Sequence, residues 1–246
     1  MRKIFLSLLS LLFIFPCFGQ TASDSLKVKS NFKAGELIAP LSLIGVGALG
    51  FVEPIKGACE DFQGYVKTWR GDCTSTAIDD YLQYVPLASV YGLSLLGADA
   101  KHNYVDRTLE VAVAGVALVG IVGGSKYLIK KERPDGSDFN SFPSGHAAKV
   151  FMGAELVRIE YGEEHPWLAV GAYTLATATG ALRIYNNQHW LPDVIAGAGV
   201  GILSARIGYW LLPYTKRMMH RLTGWDVFVT PVASSTGASL NTVVRF

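Results

Sequence analysis

The residues that could perform chemistry in this 246-residue chain are concentrated between Lys126 and Asp193. They form three short motifs, Lys126-x6-Arg133-Pro134, Pro143-Ser144-Gly145-His146 and Arg183-x5-His189-x3-Asp193. Together the motifs supply three cations, two imidazoles and a carboxylate. Fixed cations neutralise the oxygens of a transferring phosphoryl group, and an imidazole can act as a nucleophile or as a proton donor. The combination indicates a site that binds and cleaves a phosphate.

The second motif predicts the start of a helix. Ser144 is a favourable N-cap, and a helix that begins at Gly145 directs free backbone N–H groups toward an anion. His146 then lies in the first helical turn, beside the bound anion. Alone this motif is only moderately specific, because a histidine near a cap is more often structural. Lys126 and Arg133 alone could equally extend toward lipid head groups at a membrane boundary.

The third motif is the most typical of catalysis. Asp193 follows His189 by four residues, so one helical turn would bring the carboxylate near the imidazole. A carboxylate that holds one ring nitrogen orients the ring and raises the basicity of the other nitrogen. The alternative is that Asp193 caps a helix beside a surface histidine.

In order and spacing, the three motifs resemble the type 2 phosphatidic acid phosphatase superfamily, which also includes bacterial acid phosphatases and vanadium haloperoxidases. One position departs from the family pattern, since Leu182 stands where a serine is usual. The missing hydroxyl removes at most one hydrogen bond, worth about 1 kcal/mol.

The resemblance implies a role for each motif residue. His189 would attack phosphorus, Asp193 would orient it, and His146 would protonate the leaving oxygen. The phosphoryl oxygens would be held by the cations and by backbone N–H groups of the second motif, that is by Lys126, Arg133, Arg183, Ser144 and Gly145. No metal or other cofactor is implied.

The composition predicts an all-α, membrane-embedded helical bundle over residues 34–222. Hydrophobic residues make up 50% of the chain, charged residues 17%, and the mean hydropathy is +0.29. We expect about five to six apolar helices, in the segments 37–52, 81–98, 106–127, 145–161, 167–184 and 194–212. The first segment is at the lower limit for crossing lipid. Residues 53–80 are polar and predict a connector with one short surface helix.

Both ends of the chain differ from the bundle. Residues 1–20 have the charged start and short apolar run of a signal peptide or leader, and 21–33 predict a polar linker. In the tail, 223–246, two apolar runs flank a Ser/Gly-rich turn and predict a β-hairpin. The terminal Phe246 is typical of outer-membrane strands, but one hairpin cannot close a barrel, so a packed tail is favoured.

These features predict a metal-independent, histidine-dependent phosphatase of a membrane lipid phosphate, with lipid A in the bacterial envelope as the first candidate. Undecaprenyl diphosphate and phosphatidylglycerophosphate are alternative substrates. Other classes that fit the motifs less well are a vanadium haloperoxidase and a non-enzymatic envelope protein. The net charge of +2, without a basic run, excludes nucleic acid as an expected partner.

The site is expected to face the periplasm, although this depends on whether 37–52 spans the membrane. That orientation places Cys59 and Cys73 in an oxidising space, where they could form a disulfide. It also places a group of basic residues on the cytoplasmic side, as positive charges prefer. The group comprises Lys101, Arg107, Lys216, Arg217 and Arg221.

Overall fold

The computed structural model describes residues 30–71, 75–234 and 237–245. In these ranges eight α-helices precede a two-stranded sheet. The helices are α1 (Ile38–Ala48), α2 (Ile55–Arg70), α3 (Ile78–Leu82), α4 (Val85–Leu95), α5 (Tyr104–Ile129), α6 (Gly145–Tyr161), α7 (Pro166–Tyr185) and α8 (Leu191–Thr223). Short 3-10 turns, Ala34–Leu37 and Leu49–Phe51, extend α1 at both ends. The predicted leader 1–20, most of the linker and Cys73 lie outside the described residues.

The expected fold class, a helical membrane bundle with a hairpin tail, is confirmed. Within the described ranges three stretches are long and apolar enough to cross a membrane, namely Ala34–Phe51, Tyr104–Ile129 and Leu191–Thr223. The tail forms an antiparallel pair of strands, β1 (Asp226–Ser234) and β2 (Gly237–Arg245). Cys59 has no disulfide partner among the described residues, so its pairing with Cys73 stays a prediction.

Two segments differ from expectation. The polar connector 53–80 contains a 16-residue helix, α2, followed by the short α3, so it is more ordered than predicted. The apolar segment 81–98 contains only the 11-residue α4, because a turn separates it from α3 and Pro86 lies in its first turn. Proline is compatible with the first turn of a helix, where its missing N–H has no partner in the helix.

The long helix α8 forms the centre of the bundle and packs against α1, α5 and α6. Glycines allow this close approach. A Cβ at Gly197 would lie 2.6 Å from the Ser144 carbonyl oxygen on the α6 side, and one at Gly208 would lie 2.5 Å from the Glu110 carbonyl oxygen of α5. Small residues at helix contacts are the usual way to bring backbones together in membranes. The N-terminus of α8 is thereby held directly against the start of α6.

Short turns join α6 to α7 and α7 to α8, and the longer loop between α5 and α6 returns to the end of α5, where the Ser141 N–H bonds to the Lys131 carbonyl. The helices α5, α6, α7 and α8 therefore run up and down in turn. The C-termini of α5 and α7 and the N-termini of α6 and α8 therefore meet at one end of the bundle, which we call the motif end. All three sequence motifs belong to this end.

Candidate active site

Backbone hydrogen bonds join the three motifs at the motif end. The Ser144 N–H donates to the Asp193 carbonyl oxygen at 2.9 Å, which ties the second motif to the third. The Ser141 N–H donates to the Lys131 carbonyl oxygen at 2.9 Å, which ties the loop before α6 to the end of the first motif. The Lys126 Nζ lies 3.8 Å from the place where a Cβ on Gly145 would be, so the lysine reaches the start of α6.

Ser144 is the N-cap of α6, as predicted. Its hydroxyl oxygen accepts from the Ala147 N–H at 3.4 Å, and the residue is fully buried. Its own N–H is used by the Asp193 carbonyl, so the predicted anion contact from the Ser144 N–H is not available. The Gly145 N–H makes no such backbone bond within the described ranges and stays a candidate anion donor.

His189 is almost completely buried, with 1% of its surface exposed. Its Nδ1 lies 2.8 Å from the Ser141 carbonyl oxygen. A carbonyl can only accept, so Nδ1 carries the proton and the lone pair is on Nε2. Burial lowers the pKa of His189 well below its usual range, and the charges of Arg133, Arg183 and Lys126 lower it further against the effect of the Ser141 carbonyl. The ring is therefore a neutral base surrounded by cations.

The structure does not contain the expected direct contact between the Asp193 carboxylate and the His189 ring, whose Nδ1 pairs with the Ser141 carbonyl instead. Asn187 has a left-handed φ of 59°, and α8 begins only at Leu191, so His189 precedes the helix and the four-residue spacing is not a helical turn. Asp193 instead caps α8, since its carboxylate accepts from the Trp190 N–H at 3.2 Å. The alternative of a capping aspartate beside a surface histidine is therefore correct for Asp193 and wrong for His189, which is buried.

Asp193 is connected to His189 through Ser141. The Ser141 hydroxyl donates to the Asp193 carboxylate, and the Ser141 carbonyl accepts from the imidazole. The second carboxylate oxygen pairs with the Lys131 Nζ at 2.8 Å. Asp193 therefore orients the segment that orients the ring.

Arg183 and His146 contact two acids of α3. The Arg183 guanidinium is buried and lies 2.5 Å from Asp79, whose other oxygen accepts from the Asn186 amide at 3.0 Å. Asp80 lies 3.0 Å from the His146 Nε2 and 3.5 Å from Arg183. The short helix α3 thus contributes two carboxylates to the motif end.

Arg133 is held in the loop between α5 and α6. Its Nε donates to the Asp138 carboxylate at 2.9 Å, and its N–H donates to the Asp138 carbonyl oxygen at 3.0 Å. Although burial acts in the opposite direction, the Asn140 N–H and the Arg133 side chain hold the pKa of Asp138 below its usual range. The two bonds between Arg133 and Asp138 hold this part of the loop together.

Four residues at the motif end were not identified by sequence reasoning, namely Asp79, Asp80, Lys131 and Ser141. The two aspartates belong to a polar segment far from the motifs, and nothing in their spacing relates them to Arg183 or His146. Lys131 and Ser141 lie inside the interval that the motifs enclose, but their types occur commonly in loops. Only contacts across the bundle identify them.

The comparison with protein families gives a match to the PAP2 superfamily over residues 107–217. This segment contains all three motifs and the ends of the helices that hold them. Over this range the chain belongs to the PAP2 superfamily.

The chain is also similar to individual proteins. It is 42% identical over 166 residues to the lipid A 1-phosphatase of Porphyromonas gingivalis, covering 67% of this chain and 37% of that protein. It is 27% identical over 135 residues to the lipid A 1-phosphatase of Helicobacter pylori strain J99, covering 51% of this chain and 65% of that protein. The crystal structure of Aquifex aeolicus LpxE shares 18% identity and a TM-score of 0.47, covering 60% of this chain and 92% of that one. The chain spans little more than a third of the length of the P. gingivalis relative.

Proposed function

We propose that the protein is a membrane lipid phosphatase that uses His189 as its nucleophile. The observation that carries the proposal is the buried, neutral imidazole with three cations around it and its Nε2 lone pair available. Such a site stabilises the charge of a phosphoryl group in transfer and needs no proton removal from the nucleophile.

In the first step the His189 Nε2 forms a bond to phosphorus, and the bond from phosphorus to the lipid oxygen breaks. Lys126, Arg133 and Arg183 hold the phosphoryl oxygens, together with the Gly145 N–H. His146 gives a proton to the lipid oxygen as it leaves. In the second step water attacks the phosphohistidine, His146 takes the proton of that water, and inorganic phosphate leaves with the His189 ring restored.

Asp80 has a part in this scheme. Its carboxylate lies against the His146 Nε2, the atom that would face the leaving oxygen. More than half of its side-chain surface, 57%, is exposed, so it is free to swing away when a phosphate enters. An anionic substrate bound next to Arg183 would repel the Asp80 carboxylate and compete with it for the Arg183 guanidinium, so the carboxylate would be displaced.

Lipid A is the substrate we propose first. The support is the relationship to two lipid A 1-phosphatases, one of them at 42% identity over two thirds of this chain. The apolar helices around the motif end suit a lipid-linked phosphate that enters from the bilayer.

We also propose a division of the chain into an export leader, 1–20, a linker, 21–33, a phosphatase bundle, 34–222, and a tail, 223–246. In the membrane, we propose that the motif end of the bundle faces the periplasm. The support for the orientation is the basic C-terminal part of α8, which carries Lys216, Arg217 and Arg221. The Lys216 Nζ pairs with Asp106 at 2.7 Å, which places the basic end of α8 beside the start of α5 and away from Lys126. Positive charge at that end favours its retention in the cytoplasm.

Phosphate release from a panel of lipid phosphates tests the proposed reaction. The panel contains lipid A carrying a 1-phosphate, undecaprenyl diphosphate, phosphatidylglycerophosphate and phosphatidic acid. We expect wild type to release phosphate from lipid A fastest and His189→Ala to lose activity by at least about 10³-fold, because the covalent step has no substitute. His220→Ala, at the far end of α8, is the matched control and should keep full activity. Full turnover by His189→Ala would exclude the mechanism, and wild type that cleaves no member of the panel would exclude the function.

A further inference from the structure

A second polar cluster lies at the end of the bundle opposite the motif end. It comprises His102 in the connection before α5, Glu110 in the second turn of α5 and Glu160 in the last turn of α6. Lys126 follows Glu110 by 16 residues on the same helix, which separates the two by about 24 Å. The cluster is therefore distinct from the proposed phosphatase site.

The three side chains converge on one point. The His102 Nδ1 lies 2.7 Å from the Glu160 Oε1 and 4.0 Å from the Glu110 Oε2. One ligand atom from each residue, an imidazole nitrogen and two carboxylate oxygens, lies within 4.8 Å of the others. The other oxygen of Glu160 is held by the His102 backbone N–H at 3.0 Å, which fixes that carboxylate in place.

Glu110 is the unusual member. Its side chain is 1% exposed, and neither carboxylate oxygen has a hydrogen-bond partner among the described residues. A buried carboxylate normally accepts several hydrogen bonds or pairs with a cation, because its desolvation is otherwise uncompensated. Glu160, equally buried, lies beside it.

The neighbouring cations form bonds elsewhere. The Lys101 Nζ pairs with the exposed Glu163 at 3.0 Å. The Arg107 guanidinium donates to the Val90 carbonyl, to Ser94 and to Tyr161. Neither side chain hydrogen-bonds to the two buried carboxylates.

We propose that His102, Glu110 and Glu160 bind a divalent transition-metal ion, with Zn²⁺ as the representative. An imidazole with two carboxylates is a donor set typical of Zn²⁺ and Mn²⁺, at about 2.0–2.2 Å from each ligand atom. The ion compensates both buried carboxylates and joins the start of α5 to the end of α6. It has a structural role and takes no part in phosphate cleavage, so the proposal does not depend on the proposed function.

The competing explanation is a shared proton. Two adjacent carboxylates can form a hydrogen bond to each other when one of them is protonated, without any metal. The two explanations make different predictions. Only the metal site binds an ion in stoichiometric amount. Glu110→Gln should weaken a metal site but preserve a shared-proton pair, because glutamine keeps the size and hydrogen bonding of a neutral acid but is a poor metal ligand.

Metal binding by the full chain purified in detergent tests the proposal. Protein is stripped with a chelator, exposed to Zn²⁺ or Mn²⁺, desalted and analysed by mass spectrometry for metal per chain, with the thermal unfolding midpoint followed in parallel. We expect about one ion per chain and a rise of the midpoint with metal, since a ligand that binds only the folded state stabilises it. We expect Glu110→Gln to weaken binding by at least about tenfold.

His102→Gln serves as a second variant if Glu110→Gln does not fold, because His102 lies outside the helices. Glu163→Gln is the matched control, an exposed glutamate at the same end, and should bind metal as wild type does. The proposal is overturned if wild type takes up no stoichiometric metal, or if the cluster variants bind it as tightly as Glu163→Gln. A Glu110→Gln protein with a raised midpoint, together with metal-free wild type, would establish the shared proton instead.

Discussion

At the residue scale, the reactivity proposed for His189 depends on two bonds of Ser141. The Ser141 carbonyl holds the imidazole Nδ1, and its hydroxyl donates to the Asp193 carboxylate. Asp193 thus acts on His189, the proposed nucleophile, through Ser141. This arrangement fixes the ring with Nε2 toward the cations, which is the geometry required for attack on phosphorus.

Ser141→Ala removes the hydroxyl bond to Asp193 but keeps the backbone carbonyl that holds His189. We expect kcat to fall about tenfold, the cost of one hydrogen bond to a charged group, with little change in KM. Steady-state kinetics on lipid A measures this, and Ser137→Ala, in an exposed part of the same loop, is the control. An unchanged kcat in Ser141→Ala would show that the Asp193 bond does not contribute to the positioning of His189.

The pH dependence of the reaction reports on the same ring. Because the pKa of His189 is lowered, the imidazole stays neutral as the pH falls through 6.5, the ordinary histidine value, and activity persists there. The acid limb of kcat/KM should therefore lie below pH 6.5. Arg133→Gln removes a positive charge from beside the ring, so it should raise the pKa of His189 and move the acid limb upward.

Profiles of kcat/KM between about pH 4 and 8 check this prediction. The phosphate of the substrate also titrates, so its own pKa is measured by phosphorus NMR and taken into account. Between the lowered pKa and 6.5 the unfolded chain binds more protons at His189 than the folded chain, so the free energy of unfolding decreases as the pH decreases. Preincubation controls at each pH separate this loss of stability from the titration of the ring. An acid limb above pH 6.5 in wild type would contradict the neutral, cation-surrounded ring.

At the element scale, the position of α8 determines where the motifs meet. Gly197 lies against the Ser144 carbonyl, next to the hydrogen bond from Ser144 to Asp193. Any increase in the spacing between α6 and α8 would move the start of α6, the proposed anion-binding element, away from the loop that holds His189.

Gly197→Ala places a Cβ 2.6 Å from the Ser144 carbonyl oxygen, a distance that forces the helices apart. We expect the free energy of unfolding to fall by about 1–3 kcal/mol, with a loss of kcat. Chemical denaturation in detergent and the phosphatase assay measure the two effects. Gly171→Ala is the control on α7, where a Cβ meets nothing within 4 Å, and it should be neutral or slightly stabilising. Equal effects of the two substitutions would exclude the packing argument.

The helix α2 supports the same end from outside. The buried Gln63 amide donates to the Ile184 carbonyl at 3.0 Å and to the Asn187 side chain at 2.9 Å, which holds the turn before His189. The opposite face of α2 exposes Tyr65 and Trp69, aromatic residues of the kind enriched where a membrane meets water. A segment that its polarity predicted to be mostly connector thus positions part of the site.

At the scale of the whole molecule, the bundle has two chemically different ends. Three motif cations and the proposed nucleophile lie at one end, and the cluster of His102, Glu110 and Glu160 lies at the other. The four antiparallel helices α5 to α8 separate the two ends. Orientation in the membrane therefore decides which compartment each end meets.

Cysteine labelling tests the periplasmic orientation. Ser137→Cys at the motif end and Glu164→Cys at the opposite end are compared in a chain whose native Cys17, Cys59 and Cys73 are replaced by serine. In intact spheroplasts an impermeant thiol reagent should label Ser137→Cys and should label Glu164→Cys only after lysis, because the basic end stays inside. The reverse pattern would place the site in the cytoplasm and leave the phosphatase chemistry untouched.

The amino-acid sequence by itself determined the reaction class that we propose and the helical class of the fold. Residue types at fixed spacing, such as Ser144 before Gly145 and His146, predict local structure and local chemistry, and apolar runs predict membrane helices from hydropathy alone. The start of α6 and the cap at Ser144 follow from neighbouring residues, so they could be predicted without contacts.

Only the tertiary structure decided which side chains meet. Ser141 and Asp193 are 52 positions apart, and Asp79 and Arg183 are 104 apart, so no local pattern relates them. The expected bond between His189 and Asp193 was wrong for a local reason, since Pro192 and the capping bond from the Trp190 N–H to Asp193 begin α8 at Leu191, after His189. Pairing across the bundle is a property of helix packing, and helix packing is set by many weak contacts that no single motif encodes.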